Sequence, residues 1–549
     1  MSKIDRRKFL GGAAATAAST AIPGTAEAAW RRIPETRSEE RVVVIGSGFG
    51  GGVTALRLCQ AGVKVLMLER GRWWNTGPNA ETFPHAATPD KRDLFYTIWP
   101  EFMGFRIGIA PYVGLLEPVI GHNMTALAPA GVGGGSLVYQ GMTLQPTEEN
   151  FKKWYPADID YAEMDAVFYP RVKQMLQVET APDELANSPT YKASRIFAEQ
   201  VQAAGYNLDK VPMPIDWQYA LDELNGDMKP SYTNGDCALG VNNGGKHSVD
   251  VTYIKEALAT GNLTLETQHN VRKIARAEGG AWEVYVDRTN AVGTVLERKI
   301  ITAQTLVLAA GTCNTSRLLV RAKGRGDIPD LPDGVGQGYG TNGDQIYVWS
   351  NMPEDPGAPQ GGPVIYGSYE WDDPNQPANT VIQASLPPVY KKSSSGTTVS
   401  SALIPGAAQI SRTAVDPHAT MLVGYGSSPD RGEFVYNPKT DHVELHWPKD
   451  GDAEVAARIH ERVAAIAGAG SKLLLTNKLV NNTWHSLGGA CMGVVCDTEG
   501  RVKGQKGLYV LDGALIPGTC CACNPSLTIA AIVERALDRI VKNDIGTII

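Results

Sequence analysis

The chain has 549 residues, of which 43% are hydrophobic and 20% charged, with a formal net charge of −7. That length exceeds what one hydrophobic core organises and indicates several domain equivalents, while the apolar content excludes a disordered chain. The acidic balance argues against a nucleic-acid partner, whose protein footprint is basic.

Residues 1–28 read as a twin-arginine export signal: Arg6-Arg7 precedes a weakly apolar run of small residues from Gly11 to Ala18, and Ala26-Glu27-Ala28 supplies a cleavage site. The run is too short and too weak to span a bilayer, which takes about 20 apolar residues. This predicts a periplasmic or secreted protein, exported already folded.

Next, Val42-Val43-Val44-Ile45 is a continuous apolar run, the mark of a parallel strand buried on both faces. It enters Gly46-Ser47-Gly48-Phe49-Gly50-Gly51, then a helical segment through Val53 and Leu58 ended by Gly62, then a second strand, Val63 to Leu68, closed by Glu69. A G-x-G-x-x-G in that context is a dinucleotide-binding unit. Gly46 permits the tight turn, Gly48 lets a diphosphate approach the backbone, and Gly51 lets helix and strand pack. The helix N-terminus then offers free N–H groups to the diphosphate. Glu69 is placed to accept hydrogen bonds from both ribose hydroxyls and would repel a 2′-phosphate, which disfavours NADP. A second glycine-rich stretch, Gly131-Val132-Gly133-Gly134-Gly135-Ser136, lies well beyond this unit. It points to an elongated cofactor with a second contact zone.

Further along, the pattern is mixed from about 76 to 245, with helical stretches near 160–178 and 190–205. The apolar segment Phe105 to Leu116 reads as a core or pocket wall, or as a loop touching a membrane surface to collect a lipid. A second buried strand, Thr305 to Ala310, leads through Gly311 into a helix, and short strands alternating with turns from about 345 to 445 indicate a large antiparallel sheet. Lys391 to Gly396 is a polar loop. Gly507 to Asp512 is again strand-like and precedes a long helix, Leu527 to Ile540. The architecture expected is α/β. A Rossmann-like cofactor domain takes in 38–150, 247–340 and 480–549, and a mostly antiparallel sheet domain for substrate takes in 151–246 and 341–479.

Eight cysteines in this length are too few for a disulfide scaffold. Cys520, Cys521 and Cys523 form a cluster that either bonds to Cys491 or Cys496 or sits buried as small hydrophobes. Adjacent cysteines fit metal-ligand spacing poorly, and no metal site is expected.

Taken together, five phrases resemble the glucose–methanol–choline (GMC) oxidoreductases, most closely the cholesterol oxidases that hold FAD non-covalently. They are Val44-Ile45-Gly46-Ser47-Gly48-Phe49-Gly50, Gly131 to Val138 with Gly141-Met142, Gly340-Thr341-Asn342-Gly343, His485 to Cys491, and Asp512 to Gly518 with Asn524-Pro525. The resemblance implies FAD, a bilobed fold, and oxidation of an alcohol with dioxygen as the final acceptor. By position, it implies that His485 faces the substrate hydroxyl and that Asn524 orients substrate and flavin. It further implies that Val271 meets the adenine and that Met142, Asp512, Gly513 and Pro525 lie against the cofactor. A histidine suits this chemistry, because removing hydride is easier as the hydroxyl proton leaves to a nearby base.

Against that family pattern, the position expected to hold the glutamate that shifts a steroid double bond is Gln383, and an amide cannot act as that base. Tyr139 stands where the family has asparagine, at the flavin or substrate face. No histidine follows the second glycine stretch in Leu137-Val138-Tyr139-Gln140, and His122 is upstream, so the flavin is expected to be untethered. The expected activity is oxidation of a hydroxyl on a bulky, sterol-like, lipid-like alcohol without isomerisation. The alternatives are an FAD alcohol dehydrogenase passing electrons to a quinone or protein, and a non-redox FAD-stabilised binding or lyase protein.

Overall fold

The computed structural model describes residues 32–85, 90–96, 101–102, 105–106, 111–357, 362, 364–385 and 419–549. The segment read as an export signal, the segment Lys391 to Gly396 read as a polar loop, and residues 107–110 of the apolar segment lie outside these. No described helix is long and apolar enough to cross a membrane.

Two sheets organise the chain, and the fold is the mixed α/β one expected. In the larger sheet the strands run in the order Leu263–Thr267, Val65–Glu69, Glu35–Ile45, Val295–Leu308, Trp282–Thr289 and His269–Arg276, with Leu508–Val510 also pairing with Val295–Leu308. The strands around the glycine turn are parallel, with Val44 opposite Met67 on one side and Val307 on the other. Val42 to Ile45 are buried on both faces, which is why the sequence there runs apolar without alternating. The strand Val295–Leu308 serves two ladders. Its first part pairs antiparallel with Trp282–Thr289 and its end pairs parallel with Leu508–Val510. The helix Phe49–Gln60 is tied to the last helix, Pro525–Asn543, through Arg57, which donates twice to the Glu534 carboxylate at 2.8 Å.

The second sheet is antiparallel, in the order Asp209–Lys210, Tyr366–Glu370, Asn379–Ala384, Thr420–Gly426, Gln345–Ser350 and Lys472–Leu475. Its two faces have different duties. Val381, Leu422 and Tyr347 pack against Ile196 and Phe197 of the helix Lys192–Ala203 and Ile459 and Val463 of the helix Ala453–Ala467. Ile382 and Tyr425 point the other way, into a cluster with Met142, Met213 and Cys523. All eight cysteines are buried and free, so the cluster at 520–523 forms no disulfide.

Candidate active site

Around the first glycine turn, backbone meets backbone. A Cβ on Gly50 would lie 1.7 Å from the Leu511 carbonyl oxygen, on Gly51 2.1 Å from that of Gly46, and on Gly46 2.2 Å from that of Ala309. Gly48 is different: the nearest atom to its added Cβ is the Gly134 Cα, at 3.7 Å. A side chain at Gly48 would therefore make only an ordinary van der Waals contact with the second glycine loop. The helix starting at Phe49 has no side-chain cap and no acid in its first turn, which leaves its N–H groups for an anion.

The second loop is anchored to the first. Gly133 N donates to Ser47 O at 3.2 Å, and Gly131 is packed so tightly that a Cβ there would meet the Trp74 ring at 2.7 Å. Ser136 braces this loop from behind, donating to Gly133 O and accepting from Val249 N. Glu69 differs from the expectation. Its buried carboxylate accepts from Ser47 N, Ser47 Oγ, Gly71 N and Gly131 N at 2.6–3.2 Å, so it clamps the two glycine loops together. Those four donors take up the acceptor sites that two ribose hydroxyls would need.

These loops enclose a cavity of about 580 Å³ that runs from Glu69 and the turn, past Val271 and Arg272, to Thr312, Trp484, Ser486 and Gly513. Arg70 and Arg317 project into it and share Glu117. Burial raises the Glu117 carboxyl, but the two guanidinium groups outweigh it and hold the pKa at about 2. The lining thus carries one cation in excess at that point. At the far end Asp512 accepts from Gly311 N and Thr315 Oγ1 through one oxygen and from Ala514 N through the other. Its carboxyl is pushed up to about 6 by burial. Gly513 leaves no room for a side chain, since a Cβ would sit 2.5 Å from Thr312 Oγ1. A long cavity with two uncapped helix starts and paired arginines fits an elongated dinucleotide such as FAD.

Beside the cavity's end at Trp484 and Ser486 lies a connected polar group. His485 Nδ1 is 2.6 Å from Asp344 Oδ1, while Asp344 Oδ2 accepts from Thr483 Oγ1 and Trp484 N at 2.8 and 2.9 Å. A carboxylate partner fixes the proton on Nδ1 and leaves a lone pair on Nε2. Asn524 Nδ2 donates towards that Nε2 at 3.3 Å, and Asn524 Oδ1 accepts from the Tyr425 hydroxyl at 2.7 Å. The Tyr425 ring meets the imidazole edge-on, with centroids 5.3 Å apart. Asn524 precedes Pro525, the first residue of the last helix. The turn before it is strained: Cys521 and Ala522 have φ of 58° and 63°. Hydrogen bonds from Thr380 Oγ1 to Ala522 O and from Asn342 Nδ2 to Cys523 O hold it. The Gly340 to Gly343 phrase therefore acts by seating this turn.

Gln383 requires a correction. It is 2% exposed and faces the helix Lys192–Ala203, accepting from Ser194 Oγ at 2.8 Å and donating to Thr420 Oγ1 at 3.1 Å. The residues sharing the Tyr425 face are Thr380, opposite Tyr425 itself, Ile382, opposite Val423, and Ala384, opposite Met421. A register error of one residue exchanges the faces of a strand, and Gln383 lies on the wrong one to meet a substrate. Met142 also differs: its sulfur lies 3.8 Å from the Tyr425 hydroxyl, so it supports the polar group from below and does not line the cavity. Tyr139 makes its contacts at the cofactor turn, edge-on to Phe49 at 5.5 Å and beneath Lys246, whose ammonium donates to three carbonyls including that of Tyr139. Asp344, Tyr425 and the Arg70–Glu117–Arg317 group escaped the sequence reading. Asp344 directly follows Gly340-Thr341-Asn342-Gly343, and that adjacency was the available signal.

Models of one family, described as GMC oxidoreductase, match residues 11–338 and 439–532. A cholesterol oxidase of Mycobacterium tuberculosis is 29% identical over 557 residues, covering 90% of each chain. A cholesterol oxidase of Acinetobacter baumannii is 24% identical, covering 91% of this chain and 94% of the other. A long-chain-alcohol oxidase of Arabidopsis thaliana is 22% identical over 91% of this chain and 67% of its own. Among solved structures, a pyridoxine 4-oxidase from Mesorbium loti superposes with a TM-score of 0.61 at 17% identity, over 91% of this chain and 99% of the other.

Proposed function

The chain belongs to the GMC oxidoreductase family of flavoproteins, and from that premise we propose that it oxidises the hydroxyl group of a bulky, apolar, sterol-like alcohol to a ketone. One observation carries the reading: His485 Nε2 offers a lone pair and Asn524 Nδ2 offers a hydrogen, side by side. A hydroxyl group needs that combination. Its O–H donates to Nε2 while its oxygen accepts from the amide. His485 then takes the hydroxyl proton, Asp344 stabilises the imidazolium that results, and Asn524 fixes the oxygen.

FAD, held non-covalently, would have its diphosphate at the start of the helix Phe49–Gln60, its adenine by Val271 and its ring system near Gly513 and Trp484. Bound there, it supplies the acceptor for the hydride from the carbinol carbon, with dioxygen as the terminal acceptor. No isomerisation accompanies the oxidation, because the site-side face of Asn379–Ala384 presents Thr380, Ile382 and Ala384 and no acid. The long-chain-alcohol and pyridoxine oxidases among the similar proteins favour, as a second reading, a non-steroid alcohol in the same site. A twin-arginine route would export the enzyme folded, with its lipid-like substrate collected at a membrane surface.

Anaerobic addition of sterols, other terpenoid alcohols, fatty alcohols and simple alcohols to the yellow enzyme tests both readings. The sterol reading requires bleaching by a sterol and, in air, peroxide with an unconjugated ketone. Bleaching by small or linear alcohols alone transfers the site to the second reading. Ultraviolet absorbance of a conjugated enone refutes the absence of isomerisation.

A further inference from the structure

His122 lies outside the active-site machinery, in the turn between the strands Leu116–Ile120 and Thr125–Pro129. The backbone holds it against the strand His442–His446: His122 N donates to Leu445 O at 2.7 Å and Trp447 N donates to His122 O at 3.0 Å. Gly121 makes this approach feasible, since a Cβ there would stand 2.4 Å from Leu445 O. The junction brings His122, Glu444 and His446 together with their ligand-capable atoms all within 4.8 Å of one another.

Within this group, both imidazoles direct Nε2 to the same Glu444 oxygen, each at 3.4 Å. A charge-assisted hydrogen bond would be about 2.7–2.9 Å. Two ligands on one tetrahedral ion with bonds of about 2.0–2.1 Å are separated by roughly 3.3 Å. The second Glu444 oxygen accepts from Asn437 Nδ2 at 2.8 Å, which orients the carboxylate as an outer-shell partner does in metal centres. The two rings stand edge to face with centroids 4.4 Å apart, so neither blocks the other's approach to a common point.

We propose that His122, Glu444 and His446 form a surface site for one divalent transition-metal ion of the zinc type. Two imidazole nitrogens with one carboxylate favour such an ion over magnesium or calcium, which take all-oxygen sets. Three protein ligands leave at least one position for water. The ion would pin the turn at His122 to the sheet strand at 442–446, on the outer side of two segments, Leu127 to Pro129 and Asp441 to Val443, that line the cofactor cavity. No spacing in the sequence announces it, because His122 and Glu444 are 322 residues apart.

The test uses the untagged, FAD-loaded full chain, stripped with EDTA and titrated with Zn²⁺ by calorimetry, with Co²⁺ absorption as a second reporter and Mg²⁺ and Ca²⁺ as comparisons. The expected result is one Zn²⁺ per chain, affinity weakened at least about tenfold in both His122→Gln and His446→Gln, and a rise in Tm with Zn²⁺ that both variants lose. All three side chains are exposed or half-buried, so the variants fold, and their FAD-to-protein ratio verifies it. Absence of saturable Zn²⁺ binding, unchanged affinity in both variants, or equally tight Mg²⁺ or Ca²⁺ binding would overturn the proposal.

Discussion

Replacing Asp344 by asparagine isolates the role of a side chain that never touches substrate. The Trp484 N–H can only donate, so an asparagine must turn its carbonyl oxygen towards it, where Asp344 Oδ2 now accepts at 2.9 Å. Its amide NH₂ then faces His485 Nδ1, at the place of the present 2.6 Å contact. Nδ1 must become the acceptor, the proton moves to Nε2, and the lone pair that receives the hydroxyl proton is gone. Nε2–H also confronts the Asn524 NH₂, which cannot simply rotate because its oxygen is held by Tyr425. The lost charge-assisted hydrogen bond is worth about 1.5–3 kcal/mol, which is about 10- to 150-fold in rate. Loss of a positioned base is worth about 10²–10⁴-fold. The two overlap, since both remove the same lone pair, so the expected fall in kcat is about 10²–10⁴-fold, with KM little changed. Stopped-flow measurement of substrate-driven flavin bleaching reads this directly, and an unchanged FAD-to-protein ratio shows that the site is otherwise assembled. A D344N rate within about threefold of the parent would refute the tautomer argument.

Three further outcomes follow from the structure. Gly50→Ala forces a Cβ into the Leu511 carbonyl and is expected to destabilise the fold by at least about 1–3 kcal/mol, whereas Gly48→Ala, whose Cβ meets only the Gly134 Cα at 3.7 Å, should keep the Tm of the cofactor-free protein and lose FAD affinity; a Tm that falls equally in both contradicts this. Ile382→Glu puts a carboxylate on the Tyr425 face and Gln383→Glu buries one against Ser194, so only the former is expected to yield conjugated enone from a 5-ene sterol, and the latter to lower Tm; enone from Q383E would show that the strand faces are assigned the wrong way round. Burial raises the carboxyls of Asp93 to about 7 and of Asp452 and Asp512 to about 6. Folded groups that hold protons more tightly contribute stability at low pH that is lost as pH rises from about 3.9 through those values. The cofactor-free protein is therefore expected to melt lower at pH 8 than at pH 5, and a rising Tm across that window would contradict it.

The strand, turn and helix around Gly46 were legible because local chemistry alone dictates them: an apolar run buried on both faces, then glycines where backbones touch. The α/β class followed from the same signal repeated at Thr305 and Leu508. Asp344 and Tyr425 were not legible, because their meaning lies in contacts with His485 and Asn524, 141 and 99 residues away. Gln383 failed for a different reason. Composition located its strand, but facing depends on a register that only the pairing with Thr420–Gly426 defines. Glu69 was placed correctly at the strand end, yet its partners come from Ser47 and the loop at Gly131, which no spacing rule brings to it.

The close approach of Gly50 to Leu511 also has a consequence for how the protein is made. The wall behind the turn at Gly46 to Gly51 is built by the far-downstream segment at Leu511, and Arg57 finds its partner, Glu534, in the helix Pro525–Asn543. A nascent chain still on the ribosome can form the strands Glu35–Ile45 and Val65–Glu69, but the cofactor cradle has no back until the C-terminal segment emerges. A chain cut before Leu508 would carry every residue of the first glycine motif and still lack the backbone wall behind it.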